Sequence, residues 1–404
     1  MNTAFLILNA GSSSLKFAVY RADAPPARQA VYRGSIEAIG QRGVFRVFHA
    51  ADADALIDLA VAPGTHQQAL TLLLDWLSSG HPGLVLRAAG HRVVHGGTAY
   101  SHPVRVDDQV LTALEGLIPL SPLHQPHNVG AIRALAGLRP GLPQIACFDT
   151  AFHHSLPPRA RHFALPREMA TRGIRRYGFH GLSYEYIAGV LPDYLGAAAA
   201  GRVVVAHLGY GASLCALSRR QSVDTSMGFT PLDGLPMGSR CGALDPGVLL
   251  YLLREESMNP AQVDELLHHR SGLLGYSGIS GDVRTLLASD QPAAREALEL
   301  FAYRTAQAIA SHAVALNGID ALIFTAGIGE HAAPVRAAIC GHLAWLGLRL
   351  DPAANSGHGP RISAADSPAG IWVIPTNEEL VIAQHVWTLT ESGQGTPFCN
   401  LTGQ

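Results

Sequence analysis

At 404 residues the chain exceeds what one hydrophobic core ordinarily supports, so two domains are expected, and with 48% apolar but only 15% charged residues it reads as a compact metabolic enzyme, not a disordered or fibrous chain. A formal net charge of −2 supplies no basic excess for nucleic acid or an anionic membrane, so neither partner is expected. Cys147, Cys215, Cys241, Cys340 and Cys399 are scattered without a CxxC pair, no basic leader opens the sequence, and no apolar run is long enough for a bilayer; together these point to a reducing cytoplasm.

Phe5–Ala10 and Leu15–Tyr20 are strand-like runs around Gly-Ser-Ser-Ser, the pattern of a hairpin with a small-residue turn. Further strands are expected near Ala30–Ile36 and Val44–His49, then a helix capped by Thr65 and running through Trp76, and a strand near Leu84–Val94. Helices near Asp107–Ile118 and His127–Leu138 and a strand at Gln144–Phe148 complete a mixed α/β half. The second half repeats the opening: Val203–Leu208 and Ser213–Leu217 flank Gly209-Tyr210-Gly211-Ala212. Helical periodicity over Ala293–Leu316, a strand at Ala321–Phe324, a glycine turn and a helix from about Ala332 follow. Asp351–Gly370 reads as loop, Asn377–Thr388 as helix, and the stretch from Glu391, with the chance sequon Asn400-Leu401-Thr402, as a loose polar tail.

Among 29 basic residues only Lys16 is a lysine. It follows Asn9-Ala10-Gly11-Ser12-Ser13-Ser14-Leu15, so backbone N–H groups, hydroxyls and one compact ammonium fall within a single turn, as phosphate binding requires. This is no P-loop, because GxxxxGK[ST] is absent and a strand follows instead of a helix. Thr325-Ala326-Gly327-Ile328-Gly329-Glu330-His331 matches GxGxxA, but a Rossmann reading is disfavoured because the motif arrives after most of the chain. Arg92 and Arg240 each stand among glycines, where a guanidinium can pair with carboxylate or phosphate. Asp149 ends an apolar strand, and His180 lies in Tyr177-Gly178-Phe179-His180-Gly181; either could serve structure or chemistry.

Taken together these segments resemble the acetate kinase family, part of the acetate and sugar kinase, actin and chaperone superfamily. The matching runs, in family order, are Asn9–Phe17, Gly90–Gly97, Ser121–His124, Phe148–Pro157, Tyr177–His180, His207–Ser213, Phe229–Pro246, Ser280–Arg284, Thr325–Glu330 and Pro375–Ala383. The resemblance implies an α/β chain of two ribonuclease-H-like domains, the actin-like ATPase fold, with the active site in the interdomain cleft. Residues 1–150, completed by a C-terminal helix over 380–404, would form the first domain and 151–379 the second, nucleotide-binding one. It further implies a cytoplasmic homodimer that transfers phosphoryl between ATP and acetate, giving acetyl phosphate and ADP, with Mg²⁺ or alternatively Mn²⁺.

By the same resemblance Asn9 and Glu378 help hold the metal. Lys16, His207, Leu208, Gly209, Tyr210, Gly211, Asp282, Val283, Arg284, Gly327, Ile328, Gly329, Glu330 and His331 line the nucleotide site. Arg92, His124, Asp149, His180 and Arg240 surround the transferring phosphoryl, and Val94, Leu123, Phe179 and Pro231, with Arg92, enclose the carboxylate and its methyl group. An aliphatic carboxylate is already ionised at neutral pH and needs no base, so Asp149 is expected to orient metal-bound water or an arginine. Departures from the family pattern are Tyr210 for Asn, Gln125 for Asn, Leu182 and Tyr184 for Thr and His, and His331 for Asn. The competing readings are a propionate or longer-chain acyl kinase, and an actin-like nucleotide-dependent switch without a small acceptor.

Overall fold

The structure is a computed structural model that describes residues 3–49, 52, 54–80 and 83–391. Cys399, the sequon at 400–402 and nearly all of the polar tail lie outside the described residues. Compactness divides the chain into two units, Met1–Ala151 with Asn377–Gln404, and Phe152–Thr376. The boundary expected after residue 379 therefore falls at 376/377, which assigns Glu378 to the first unit. The local reason is Asn377, whose Oδ1 accepts from Leu380 N at 3.0 Å and whose Nδ2 donates to Arg28 O at 3.0 Å, tying the start of the last helix to the first unit.

The first unit is built on an eight-stranded sheet. Its strands are β1 (Thr3–Ala10), β2 (Ser14–Arg21), β3 (Tyr32–Glu37), β4 (Gly43–His49), β5 (Ala55–Val61), β6 (Val85–Val93), β7 (Val104–Arg105) and β8 (Gln144–Phe148). The order is β5-β4-β3-β2-β1-β6-β8-β7, with β1, β2 and β3 antiparallel and β1, β6 and β8 parallel. Side-chain alternation along β1 serves two cores. Ala4, Leu6 and Leu8 join Leu70, Leu73, Leu74 and Leu77 of helix His66–Gly80 and Ala131 and Leu135 of helix Gln125–Leu138. Phe5 instead meets Trp387 edge-on from helix Glu378–Glu391, at 6.2 Å between ring centres. Gly90 lets that helix approach, since a Cβ there would fall 2.5 Å from Ile382 Cγ2 and 2.7 Å from Val386 Cγ2.

The second unit carries β9 (Arg202–Leu208), β10 (Ala212–Ser218), β11 (Gln221–Thr225), β12 (Ala321–Thr325) and β13 (Gly370–Val373) in the order β11-β10-β9-β12-β13. Three antiparallel strands followed by two parallel ones repeat the pattern β3-β2-β1-β6-β8 of the first unit. The hairpins at Gly11 and Gly209 are thus equivalent turns. Tyr184, Ile187 and Leu191 of helix Gly181–Leu195 pack on Val203, Val205, Cys215 and Leu217, while the 25-residue helix Pro292–Leu316 lies along β9 and β10.

Two expectations change here. The loop expected over 351–370 contains helix Pro352–Ser356, because Asp351 accepts from Ala353 N and Ala354 N and caps it. The glycine turn after β12 is a short helix, Ala326–His331. β5, β7, β11, β13 and helix Gly181–Leu195 are elements that the sequence pattern does not announce. No helix among the described residues is long and apolar enough to cross a membrane.

Candidate active site

In the first unit, β1 and β2 pair with Asn9 opposite Lys16 and Ala10 opposite Leu15, so Gly11–Ser13 close the hairpin and Gly11 N donates to Ser14 O at 2.8 Å. The turn is held from behind. Asn128 Nδ2 donates to Ala10 O at 2.8 Å while its Oδ1 accepts from Val94 N at 3.0 Å, and His66 Nε2 lies 2.7 Å from Gly11 O. Lys16 is exposed and Asn9 half-buried, leaving both available to a ligand.

Parallel pairing of β6 and β8 delivers Arg92 and Asp149 together at their C-terminal ends, with Val93 opposite Phe148 and Asp149 N donating to Val93 O at 3.0 Å. Arg92 donates from Nε to Asp149 Oδ1 at 2.9 Å and from Nη2 to Oδ2 at 2.6 Å, a two-pronged grip that fixes the plane of the guanidinium. The Asp149 side chain is 2% exposed and that of Arg92 21%. Glu378 Oε2 stands 3.7 Å from Arg92 Nε. Burial opposes the Arg92 charge, but Asp149 and Glu378 outweigh it and hold the guanidinium above its usual range. Burial, with the negative charge of Asp149 and Glu379, pushes the Glu378 carboxyl up to about 7 despite the pull of Arg92 and Lys16. Carboxamide and carboxylate oxygens are donors that Mg²⁺ accepts, and a buried carboxyl crowded by two others is one that such a cation would keep ionised.

His124 occupies the N-cap position of helix Gln125–Leu138 and is half-buried. The departure at Gln125 is structural: its fully buried amide accepts from His95 N and donates to His95 O and Leu114 O.

In the second unit His180 has left-handed backbone, φ 56°, uncommon for a residue with a Cβ, and directly precedes helix Gly181–Leu195. His153, neutralised by burial with its pKa lowered to about 4, lies with Nε2 2.9 Å from Phe179 O and Nδ1 2.8 Å from Ser222 Oγ, bracing that segment. The His180 ring stacks on His207 with centres 4.2 Å apart, and Ser183 Oγ lies 2.8 Å from His207 Nδ1. A Cβ on Gly211 would lie 3.5 Å from His180 Nε2 and 3.9 Å from Arg240 Nη1, so these two groups converge over the second hairpin. Arg240 is steadied by donating from Nη1 to Pro231 O at 3.1 Å.

A cavity of about 350 Å³ opens beside this hairpin, lined by Gly209, Tyr210, Asp282, Val283, Arg284, Gly327, Ile328 and His331, all expected at the nucleotide site. Gly281, Leu287 and Ala332 also line it beyond the nucleotide-site residues that the resemblance implies; Gly281 falls within the matching run Ser280–Arg284, and Leu287 ends the short helix Val283–Leu287. Lys16 belongs to the other unit, and His207, Leu208, Gly211, Gly329 and Glu330 do not line the cavity. Leu208 is buried within β9. Glu330 turns inward, accepting from Ala326 N at 2.8 Å and Thr376 N at 3.3 Å, so its side chain secures the helix instead of facing the cavity. Tyr210, 61% exposed, finds its room over two glycines: a Cβ on Gly238 would fall 2.5 Å from its ring, and one on Gly281 3.1 Å from its hydroxyl. Val94 and Leu123 lie on the first unit and Phe179 and Pro231 on the second.

The family model of the Acetokinase family matches residues 4–384. The chain belongs to the acetokinase family. It is 57% identical over 400 residues to "Acetate kinase" of Rhodopseudomonas palustris (strain ATCC BAA-98 / CGA009), covering 98% of this chain and 100% of the relative. It is 47% identical over 389 residues to that of Rhizobium meliloti, covering 96% and 98%. Among solved structures it is similar to Porphyromonas gingivalis acetate kinase, with TM-score 0.85 and 33% identity over 96% of this chain and 99% of that one. It is also similar to a propionate kinase from Francisella tularensis, with TM-score 0.88 and 37% identity over 95% and 98%. The two sheets accordingly carry the family's actin-like two-domain fold, and the chain is a phosphotransferase of the carboxylate-kinase type.

Proposed function

We propose that this chain is an acetate kinase, transferring the γ-phosphoryl of ATP reversibly to acetate. The observation that carries this reading is 57% identity over 98% of the chain to a relative named acetate kinase. It is joined by the chemistry of the residues gathered in each unit. A carboxylate oxygen attacks phosphorus in line, a new P–O bond forms, the bond to the β-phosphate oxygen breaks, and ADP leaves with its electron pair. No proton is transferred, so a catalytic base is unnecessary.

What the step demands is neutralisation of three equatorial oxygens and alignment of two anions. Arg92, held in one plane by Asp149, is suited to pairing with the carboxylate and phosphoryl; Arg240 and His180 are suited to donating from the second unit, with His124 beside the acceptor. Mg²⁺, held by Asn9 and Glu378, would supply further positive charge against the phosphate oxygens. The cavity at Tyr210, Asp282, Arg284 and Ile328 would take the nucleoside. Trapping with hydroxylamine after incubation with ATP, Mg²⁺ and acetate tests the reading: hydroxamate is expected, and its absence with every short carboxylate would leave the actin-like switch as the better account.

A propionate preference is the second reading, favoured by the similarity to the Francisella tularensis enzyme. One methylene is worth roughly 1–3 kcal/mol of discrimination, so kcat/KM for acetate, propionate and butyrate separates the two. A cytoplasmic homodimer completes the proposal. Helix Pro246–Arg254 has no buried residue and exposes Val248, Leu249, Leu250 and Tyr251, apolar surface that a second copy would cover. Sedimentation at graded concentrations checks this.

A further inference from the structure

We propose that Tyr184 is a positioning residue that holds His180 in the tautomer protonated at Nε2, acting through Ser213; this rests on reading His180 as a donor to the transferring phosphoryl. Tyr184 lies four residues beyond His180, and its N–H donates to His180 O at 3.1 Å, which ties the start of the helix to the residue that precedes it. Its hydroxyl is 2.5 Å from Ser213 Oγ, and Ser213 Oγ is 2.8 Å from His180 Nδ1. Tyr184 and Ser213 are both fully buried. Ser213 is fixed on β10 opposite His207, whose ring stacks on that of His180.

The direction of this chain follows from acidity. A phenol is a far stronger acid than an alkyl alcohol, so Tyr184 donates to Ser213 Oγ. The serine has one proton, which its bond to tyrosine leaves free for His180 Nδ1. With Nδ1 accepting, the ring proton belongs on Nε2, the nitrogen that converges with Arg240 over Gly211. A histidine that must donate to a phosphoryl oxygen thereby has its donor on the side where the arginine also points. The ring of Tyr184 is anchored independently, stacked near Phe152 and edge-on to His153 at 5.5 Å, so its hydroxyl can be removed without emptying the core.

The test uses the full-length protein with ¹⁵N-labelled histidine, whose long-range ¹H–¹⁵N correlations distinguish the two tautomers; loss of a signal set in His180→Gln assigns His180. Native protein should show Nε2–H, and Tyr184→Phe should give a mixture. Loss of one such hydrogen bond should lower kcat about tenfold while KM for ATP and acetate stays within about twofold. Ser213→Ala should act similarly, and the double variant should lose no more than the weaker single variant. An unchanged tautomer in Tyr184→Phe, or losses that multiply in the double variant, would overturn the proposal. If Tyr184→Phe shifts the tautomer but His180→Gln keeps full kcat, the positioning stands and the catalytic reading of His180 fails.

Discussion

Replacing Asp149 by Asn tests the core of the first half-site, because it changes charge and one donor pattern while keeping shape. The native carboxylate accepts two charge-assisted hydrogen bonds from Arg92, at 2.9 and 2.6 Å. An amide can accept only one; its NH₂ would face a guanidinium N–H, donor against donor. Removing one partner of a buried pair is worth about 3–5 kcal/mol. Part of this is recovered, since Glu378 already stands 3.7 Å from Arg92 Nε and is freed from the repulsion of Asp149. A net loss of about 3 kcal/mol falls on the stability of the fold, and the loosened guanidinium should separately lower kcat/KM for the carboxylate roughly a hundredfold. Hydroxamate formation at varied acetate, with thermal melting to verify folding, reads it. A folded Asp149→Asn protein within threefold of native kcat/KM would refute the claim that Asp149 works by orienting Arg92.

Gly211→Ala should fold normally, since its Cβ makes only ordinary contact, 3.5 Å from His180 Nε2 and 3.9 Å from Arg240 Nη1, yet the methyl occupies the point on which both donors converge; kcat should fall about tenfold or more, measured beside an unchanged melting temperature. Gly238→Ala puts a Cβ 2.5 Å from the Tyr210 ring, which must swing toward the cavity, so KM for ATP should rise, and adding Tyr210→Asn should restore it. Acid should destabilise the fold through His91 and His153, both lowered to about 4, chiefly by burial. Each favours its neutral form when folded, so its contribution is complete above about pH 6.5 and is lost as pH falls toward 4, worth about 3 kcal/mol per residue. Melting temperature against pH should drop across that window, and His91→Gln should flatten the drop.

Much of the scaffold is legible because it is local. Apolar alternation broken by Gly11 or Gly209 specifies both hairpins, and the lone Lys16 marks the first as unusual. Helix Gly181–Leu195 is not legible this way: a left-handed His180 starts it and Pro192 sits inside it, so no ordinary cap or uninterrupted period announces it. With that helix unseen, Ser183 carries no signal and Tyr184 stands only as a departure from the family pattern, although they reach His207 and Ser213. Likewise Gln125 appears only as a departure until its amide is seen stitching His95 in place.

The sequence by itself determined the residue types that phosphoryl transfer needs, the order of the motifs and the two-fold repetition of the strand pattern, since all of these depend on neighbours in the chain. Tertiary structure alone decided which of them meet. Arg92 and Asp149 pair because β6 and β8 run parallel in one register, 57 residues apart in sequence. Glu378 joins them because the last helix packs on the first sheet, and Glu330 turns inward because Ala326 N and Thr376 N need an acceptor there. Such pairings arise from strand register and the satisfaction of buried polar groups, which act between residues that no local pattern connects.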